Sequence, residues 1–500
     1  MDYTQAILGV LQPGVMLCIV AGVAIGMVVG TLPGLTSVMA VSLITPLTFT
    51  MNSTYGFAML LGVYNSAIFS GGISAIAINT PGTPASIAQT FDGYTLSKNG
   101  RAGFALGVNT IYSVFGGIFS TICLMVACAP LARLALNFGS SEYFWLAFFG
   151  LSMMISISHE NIIKGLITGL IGFLLATVGL DPMLGIKRFA GNSVALLNGI
   201  TFIPVMIGLF GISEMIYQMY NHRKAEERRS EDAVTITDHE KVLPTAQEHK
   251  RMALPAFIGA VIGVIVGIVP GTGGDISALI SWDVTKRISK HPEEYGHGSV
   301  EGLATTSASN NAAVGGAMTT ALALGIPGDS STAVLLGALT MYGMVTGPTL
   351  LTKSADFVSR LYIIMLVANI IILPLGLLSA KACIKLLSVK DTYIQMAVLL
   401  ICCIGAYSMN RQFSDVMIMF CAGIAGFFFR MYKYPLGPAV LGLLLGKMCE
   451  TNMRRTLMLS QGDPMRLINT PISIVLMILV AFSLLWPVVS EKMQKNKEKA

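Results

Sequence analysis

Charged residues are scarce in this 500-residue sequence, in which Asp, Glu, Lys and Arg together make up 12%. Soluble proteins typically contain about 25%, so the chain has too little charge to cover a 53.1 kDa globule in water. Apolar residues make up 54% and the mean hydropathy is +0.71. Many of the 52 glycines lie inside apolar runs, as is common in transmembrane helices. We therefore expect an all-α polytopic membrane protein in a lipid bilayer.

The sequence also lacks the short motifs that mark several other classes of protein. It contains no G-x-x-x-x-G-K-[ST], H-E-x-x-H, G-x-S-x-G or T-V-G-Y-G, which argues against a P-loop ATPase, common hydrolases and a potassium channel. The eight cysteines form no C-x-x-C and pair with no histidine, so neither a zinc site nor a disulfide framework is expected. The net charge of +6 comes without a basic stripe, so we expect no nucleic-acid partner. The chain is not expected to be an enzyme, and it needs no cofactor beyond a possible Na⁺.

Apolar runs of about 20 residues, the length that crosses a bilayer, predict about 12 transmembrane helices. Shorter apolar stretches bounded by Gly or Pro predict re-entrant or broken helices. The long runs are residues 13–32, 55–79, 104–132, 143–158, 163–180, 200–220, 253–269, 301–326, 357–380, 393–409, 414–430 and 471–489. The short stretches are residues 38–49, 273–282, 331–347 and 434–448.

Charge divides the chain near its middle. Residues 221–252 contain 14 of the 58 charged residues, which predicts a cytoplasmic linker between a first transmembrane repeat, residues 1–220, and a second, residues 253–490. The tail, residues 491–500, contains four lysines after an apolar span. Because positive charge is retained on the cytoplasmic side, we expect a basic cytoplasmic tail.

Two motifs occur once in each half, in the same order. G-x-x-x-G-x-x-P-G stands at residues 26–34 and again at 263–271, and a Gly-Gly pair leads to Pro-Gly at residues 71–82 and again at 315–328. Both recurrences predict two structural repeats. An exported N-terminus that lacks basic residues, followed by a cytoplasmic linker, makes the second repeat inverted, as in many secondary transporters.

Each Pro-Gly inside an apolar span is expected to end one helix and begin another. The free N–H groups and partial positive charge at the start of the new helix favour an anion. We therefore expect four helix ends to converge on one site. The residues expected to contact the substrate are Gly34, Leu35, Thr36, Gly82, Thr83, Gly271, Thr272, Gly273 and Gly328. The alternative is that these residues serve as kinks and helix-packing positions.

Polar side chains at membrane depth are candidates for binding a coupling cation. The candidates with amide or carboxylate oxygens are Asn79, Asp275, Asn310, Asn311 and Asp329. The alternative is that Asn and Asp cap the broken helices. Asp92-Gly93-Tyr94, followed by Lys98 and Arg101, instead predicts a surface turn.

The sequence resembles the large transmembrane subunit of the tripartite tricarboxylate transporter family (TctA type) over residues 10–490. The resemblance is carried by several segments that are weak singly and specific together. They are P-G-L-T at 33–36, N-T-P-G-T-P-A-S at 79–86, T-V-G-L-D-P at 177–182, P-G-T-G-G-D at 270–275 and L-G-I-P-G-D at 324–329. One departure is Thr306-Ser307, where the family often has Pro-Glu.

The resemblance implies a secondary transporter of the bacterial inner membrane that imports a citrate-like tricarboxylate or a related organic anion, driven by Na⁺ or H⁺. It also implies two partners, a small four-span membrane subunit and a periplasmic solute-binding protein. A passive anion channel, or a carrier for another small organic anion, is the alternative.

Overall fold

The computed structural model describes residues 3–156, 162–181, 183–220, 241–271, 273–386 and 391–497. The described part is almost entirely helical, which confirms the all-α prediction. Its single sheet is a small antiparallel pair, in which β1 (Gly179–Leu180) pairs with β2 (Lys187–Arg188). Thr272 lies outside the described residues, as do residues 221–240 of the predicted linker.

The first half contains eight helices and a set of short helical turns at residues 84–101. The helices are α1 (Tyr3–Val10), α2 (Pro13–Thr31), α3 (Ser37–Thr48), α4 (Ser53–Ile78), α5 (Ala102–Ala135), α6 (Ser140–Ser156), α7 (Ile162–Ala176) and α8 (Phe202–Tyr220). The turns begin with a 3₁₀ turn at Pro84–Ser86 and lead into α5.

The second half contains ten helices. They are α9 (Ala246–Ile268), α10 (Gly273–Ile288), α11 (Val300–Leu324), α12 (Ser330–Met341), α13 (Pro348–Lys353), α14 (Ala355–Leu386), α15 (Asp391–Asn410), α16 (Phe413–Met431), α17 (Leu436–Leu459) and α18 (Pro471–Lys497). Helix α9 thus begins inside the segment predicted to be a linker.

Eight helices among the described residues are long and apolar enough to cross a membrane. Each of the 12 long apolar runs contains a helix. The eight membrane-length helices lie in eight of these runs. Helices α3 and α12 have 12 residues each, or about 18 Å at 1.5 Å per residue, which is too short for a hydrocarbon layer of about 30 Å. The stretch at 434–448 was expected to be short, but its helix α17 has 24 residues.

Small residues let α2 pack on α4 in the same way as α9 packs on α11. A methyl group on a glycine at these crossings would overlap the facing backbone, so the close approach requires glycine. On α2, Gly22, Gly26 and Gly30 face Met59, Val63 and Ala67; on α9, Gly259, Gly263 and Gly267 face Thr305, Ser309 and Ala313. Glycines 237 positions apart therefore face residues 246 positions apart, which gives a packing reason for the recurring motif.

Asp92 is fully buried, so the prediction of a surface turn at this residue is wrong. Its Oδ1 accepts hydrogen bonds from the backbone N–H groups of Gly296 (2.8 Å), Gly298 (3.1 Å) and Ser299 (2.8 Å). Its Oδ2 accepts one from Trp282 Nε1 (2.7 Å). The carboxylate fastens the loop before α11 to the turns before α5, and these partners lie about 200 residues away in the sequence.

Replacing Asp92 by alanine is expected to destabilise the protein strongly, because it leaves four donors without their acceptor. Each unsatisfied buried group costs about 1–3 kcal/mol, so we expect a loss of at least about 3 kcal/mol, measured as a lower Tm of the purified protein. Asp463→Ala is the matched control, since exposed Asp463 accepts one backbone hydrogen bond, from Met465 (2.9 Å). Equal Tm values for both variants would contradict the structural role of Asp92.

Candidate functional site

Each Pro-Gly corner turns through a glycine in the left-handed region. Gly34 has φ of 87° and Gly271 has φ of 86°, a conformation that a residue with a side chain rarely adopts. Gly34 follows the end of α2 and leads to the first residue of α3 three positions later. Gly271 occupies the same place between α9 and α10. The first break in each half thus turns through a glycine of nearly the same φ.

The second break in each half also has matched geometry. Asn79, with φ of 52°, directly follows α4, and Gly325, with φ of 74°, directly follows α11. The next two glycines, Gly82 and Gly328, lie against Gly30 on α2 and Gly267 on α9 respectively. These glycines therefore serve close packing behind the helix starts.

The four chain segments that follow these breaks meet at one cavity of about 330 Å³. Three are the first turns of α3, α10 and α12, and the fourth is the 3₁₀ turn at Pro84. The lining residues from these segments are Thr36, Ser37, Val38, Thr83, Pro84, Ala85, Gly271, Gly273, Gly274, Asp275, Asp329, Ser330 and Ser331. Breaks far apart in the sequence are thus brought together around one cavity.

The two halves contact each other beside the cavity. Ser37 Oγ at the start of α3 lies 3.1 Å from Ser331 Oγ at the start of α12. The corresponding positions, Gly274 and Ala85, are also in contact, since a Cβ added at Gly274 would lie 3.1 Å from the Cβ of Ala85. In both contacts, the segment after the first break of one half meets the segment after the second break of the other half. This pattern is what a two-fold relation between the halves produces.

Side chains cap two of the helix starts at the cavity. Thr36 Oγ1 accepts a hydrogen bond from Met39 N (3.3 Å), and Asp329 Oδ1 accepts one from Thr332 N (2.7 Å). Each cap satisfies one of the several free N–H groups of a first turn. Hydroxyl groups and the partial positive ends of α3, α10 and α12 therefore surround the cavity, an arrangement suited to an anion.

Two carboxylates and one guanidinium also line the cavity. They belong to Asp275, Asp329 and Arg430, of which Asp329 Oδ2 accepts a hydrogen bond from the buried Tyr64 hydroxyl (2.6 Å). When all three groups are ionised, their net charge is −1. An anion entering the cavity in that state meets one attractive charge and two repulsive ones.

Arg430 is the residue that the sequence analysis missed. It lies at the end of α16, where Nη1 is 2.5 Å from Glu214 Oε2 and Nε donates to Ser213 Oγ (3.1 Å). Glu214 Oε1 in turn accepts a hydrogen bond from Gln218 Nε2 (2.9 Å). A lone arginine ending the apolar run at 414–430 was the available signal, because ionisable residues in membrane spans are often functional.

The other predicted site residues that the structure describes lie outside the cavity lining. Gly34 lies against Glu214, which pairs with Arg430, and against Gln218, which donates to Glu214. Leu35, Gly82 and Gly328 are not among the lining residues. Asn79 is exposed at the end of α4, where its place in the second half is taken by a glycine. This match indicates that Asn79 serves as a left-handed helix end, since Asn adopts that conformation more readily than most residues.

Asn310 and Asn311 are fully buried behind the cavity on α11. Neither polar atom of the Asn310 side chain has a hydrogen-bond partner among the described residues. A Cβ added at Gly274 would lie 2.8 Å from Asn310 Oδ1, so this amide stands directly against the first turn of α10. The corresponding residue in the first half, 246 positions earlier, is Tyr64, which contacts the first turn of α12 through Asp329.

A second cavity, of about 340 Å³, lies near β1, β2 and α17. Its Arg188 is paired with Glu450, with 2.5 Å between Nη1 and Oε1. Asp181 and Arg454 extend this network, and the hydrogen bond from Arg454 holds the pKa of Asp181 well below its ordinary value. The first cavity is the stronger candidate for an anion site, because three helix starts meet there.

The fold and the cavity together define a multi-pass, all-α membrane protein in which interrupted helices meet at one cavity. The sequence matches the tripartite tricarboxylate transporter TctA family over residues 16–441, and the chain belongs to this family. The match confirms the resemblance read from the motifs. Membership makes the chain the large membrane subunit of such a transporter and favours a transport role over catalysis.

Two relatives from Agrobacterium vitis are similar to the chain. A protein described as "uncharacterized 52.8 kDa protein in TAR-I ttuC' 3'region" is 33% identical over 452 residues, which cover 90% of this chain and 89% of the relative. A protein described as "uncharacterized protein in TAR-II ttuC' 3'region" is 30% identical over 204 residues, which cover 41% of this chain and 84% of that relative. No solved structure matches the chain.

Proposed function

We propose that this chain imports an organic carboxylate across the bacterial inner membrane by secondary transport, and that the carboxylate binds in the 330 Å³ cavity. The observation that carries the proposal is the meeting of the first turns of α3, α10 and α12 with Arg430 at one cavity. Helix starts that face an anionic substrate group within the membrane are a recurring device of secondary transporters. Arg430 adds a planar pair of donors that matches a carboxylate.

Charge balance in the cavity favours coupling to a cation. Asp275 and Asp329 would repel an anionic substrate in a medium of low dielectric constant. A co-bound Na⁺, or a proton on one of the two carboxylates, removes part of this repulsion. The substrate and the cation then bind best together, which is the physical requirement for symport.

The proposed partners follow from the tripartite nature of the family. We propose that a small four-span membrane subunit joins the chain, and that a periplasmic solute-binding protein delivers the carboxylate. In this arrangement the basic C-terminal tail lies in the cytoplasm, as the positive-inside rule predicts. The two transmembrane repeats are proposed to be inverted, and the matched helix breaks support their equivalence.

The test is uptake of radiolabelled citrate and a panel of other di- and tricarboxylates into proteoliposomes that contain all three components. We expect saturable uptake that requires the binding protein and is accelerated by an inward Na⁺ or H⁺ gradient, without ATP. Liposomes with the membrane subunits alone serve as the control. Flux that does not saturate, and that ignores both gradients and the binding protein, would instead identify a passive channel.

A further inference from the structure

Three asparagines from different helices contact one another in the protein interior. Asn65 on α4, Asn311 on α11 and Asn369 on α14 are all fully buried. Asn369 Nδ2 lies 3.4 Å from Asn65 Oδ1, and Asn311 Nδ2 lies 3.4 Å from the backbone oxygen of Asn65. Asn65 and Asn311 occupy the same position in the two halves, 246 residues apart. We call these three residues the asparagine cluster.

The side-chain amide nitrogens of the cluster have acceptors, but two of its three side-chain oxygens have no donor among the described residues. Asn65 Nδ2 donates to Leu61 O (2.8 Å) and Asn369 Nδ2 donates to Met365 O (2.9 Å). The Oδ1 atoms of Asn311 and Asn369 have no hydrogen-bond partner in the described part of the chain. Buried amide oxygens normally have a partner. A bound cation is a partner that these two unsatisfied oxygens can take.

We propose that the asparagine cluster binds the Na⁺ that drives transport, an inference that rests on the proposed function. Amide and backbone oxygens are hard ligands, which suit a hard cation. The three side chains are neutral, which favours a monovalent ion over Mg²⁺ or Ca²⁺, whose sites usually include carboxylates. They also cannot take up a proton at physiological pH, so this site selects Na⁺ over H⁺.

The cluster is placed to connect ion binding with the carboxylate cavity. The residue before Asn65 is Tyr64, which donates a hydrogen bond to Asp329 at the start of α12 (2.6 Å). The residue before Asn311 is Asn310, which stands against Gly274 at the start of α10. An ion bound by the cluster therefore holds α4 and α11 in place. It thereby also holds Tyr64 and Asn310, which contact the starts of α12 and α10.

Thermal unfolding of the purified full-length protein tests Na⁺ binding without requiring transport. Tm is measured across NaCl concentrations, with choline chloride holding the ionic strength constant, and again with KCl. We expect a rise in Tm specific for Na⁺ that sets in near the Kd and then grows with the logarithm of the Na⁺ concentration, because a ligand that binds the folded state stabilises it. The Na⁺ concentration at which Tm begins to rise should increase at least tenfold in Asn311→Ala and in Asn369→Ala, which corresponds to about 1.4 kcal/mol or more in binding.

Asn452→Ala is the matched control, because Asn452 on α17 makes the same kind of hydrogen bond, to Met448 O (2.8 Å), away from the cluster. It should keep the wild-type response to Na⁺. Asn369→Asp retains a side-chain oxygen and should keep Na⁺ stabilisation, which separates loss of a ligand from misfolding. A wild-type Tm that rises equally with choline, K⁺ and Na⁺, or alanine variants with an unchanged response, would overturn the proposal.

Uptake measurements separate this inference from the proposed function. Carboxylate uptake that is driven by a proton gradient and is indifferent to Na⁺ would refute the Na⁺ site and leave the carrier function standing. Absence of carboxylate uptake, with a Na⁺-specific rise in Tm intact, would refute the carrier function and leave the ion site standing.

Discussion

Replacing Arg430 by glutamine is expected to lower carboxylate uptake about a hundredfold or more. The guanidinium can offer two charge-assisted hydrogen bonds to a substrate carboxylate, each contributing about 1.5–3 kcal/mol, and a loss of 1.4 kcal/mol is tenfold in affinity. Arg430→Lys should fall between wild type and Arg430→Gln, because lysine keeps the charge and lacks the planar pair of donors. The measurements are the Kd of the purified protein for the best-transported carboxylate and its initial rate of uptake.

This prediction needs a control for folding, because Arg430→Gln leaves the buried carboxylate of Glu214 unpaired. Removing one partner of a buried ion pair typically costs about 3–5 kcal/mol. The double variant Arg430→Gln/Glu214→Gln removes that unpaired charge, so it should recover most of the Tm and still fail to transport. Recovery of uptake in the double variant would show that Arg430 serves only to pair Glu214.

Arg287→Gln is the matched control for the charge itself. Arg287 is exposed and pairs with one carboxylate, Asp283, at 2.8 Å, so the same substitution is made far from the cavity. It should leave uptake unchanged, since exposed ion pairs contribute about 0–1 kcal/mol. Glu214→Gln alone should keep uptake and strengthen anion binding, because it frees Arg430 from its internal partner.

Replacing Asp329 by asparagine is expected to tighten carboxylate binding and to remove most gradient-driven accumulation. Asparagine keeps an oxygen for the cap on Thr332 and removes one negative charge from the cavity. At an effective dielectric constant of about 20, two unit charges about 8 Å apart repel by about 2 kcal/mol, so affinity should rise up to about thirtyfold. Accumulation should fall because the repulsion that couples the anion to a cation is weaker.

Counterflow and accumulation assays on the same proteoliposomes distinguish these two effects of Asp329→Asn. Exchange of labelled for unlabelled carboxylate should persist, while the level reached under an imposed cation gradient should drop. Asp356→Asn, at the start of α14 and outside the cavity, is the control and should behave as wild type. Weaker binding together with unchanged accumulation would contradict the charge-balance argument.

The parts of the fold predictable from sequence are those set by local chemistry. Apolar length predicted the spans, and Pro-Gly predicted the breaks at Gly34 and Gly271 because few other residue pairs end a helix inside an apolar run. Recurrence of the breaks led to the expectation that they converge. Thr36, Thr83, Gly273, Asp275 and Asp329 indeed lie at one cavity, although whether they bind a substrate or an ion stays a prediction.

The parts that could not be predicted depend on contacts between distant segments. Arg430 ends an apolar span, where the sequence alone cannot distinguish a membrane-surface anchor from a cavity residue. Asp92 was predicted to lie in a surface turn, because its partners, Trp282 and the loop before α11, are about 200 residues away in the sequence. Asn79 has the chemistry of a ligand, and only the left-handed backbone shared with Gly325 shows its role at a helix end.

Ser307 shows how a departure from the family pattern is accommodated. Its hydroxyl donates to Asn109 Oδ1 (3.0 Å) and accepts from Gln89 Nε2 (3.1 Å), and Gln89 Nε2 also donates to Asn109 Oδ1 (2.7 Å). All three side chains are fully buried and neutral. In this chain a hydrogen-bonded polar network thus occupies the place at which the sequence departs from the Pro-Glu pattern of the family.

The most direct measurement is a cryo-electron microscopy structure of the protein with Na⁺ and its best-transported carboxylate bound. We expect carboxylate density between the first turns of α3, α10 and α12, with a carboxylate group within hydrogen-bond distance of the Arg430 guanidinium. Density in the second cavity beside Arg188, with the first cavity unchanged between samples with and without carboxylate, would contradict the assignment of the substrate site.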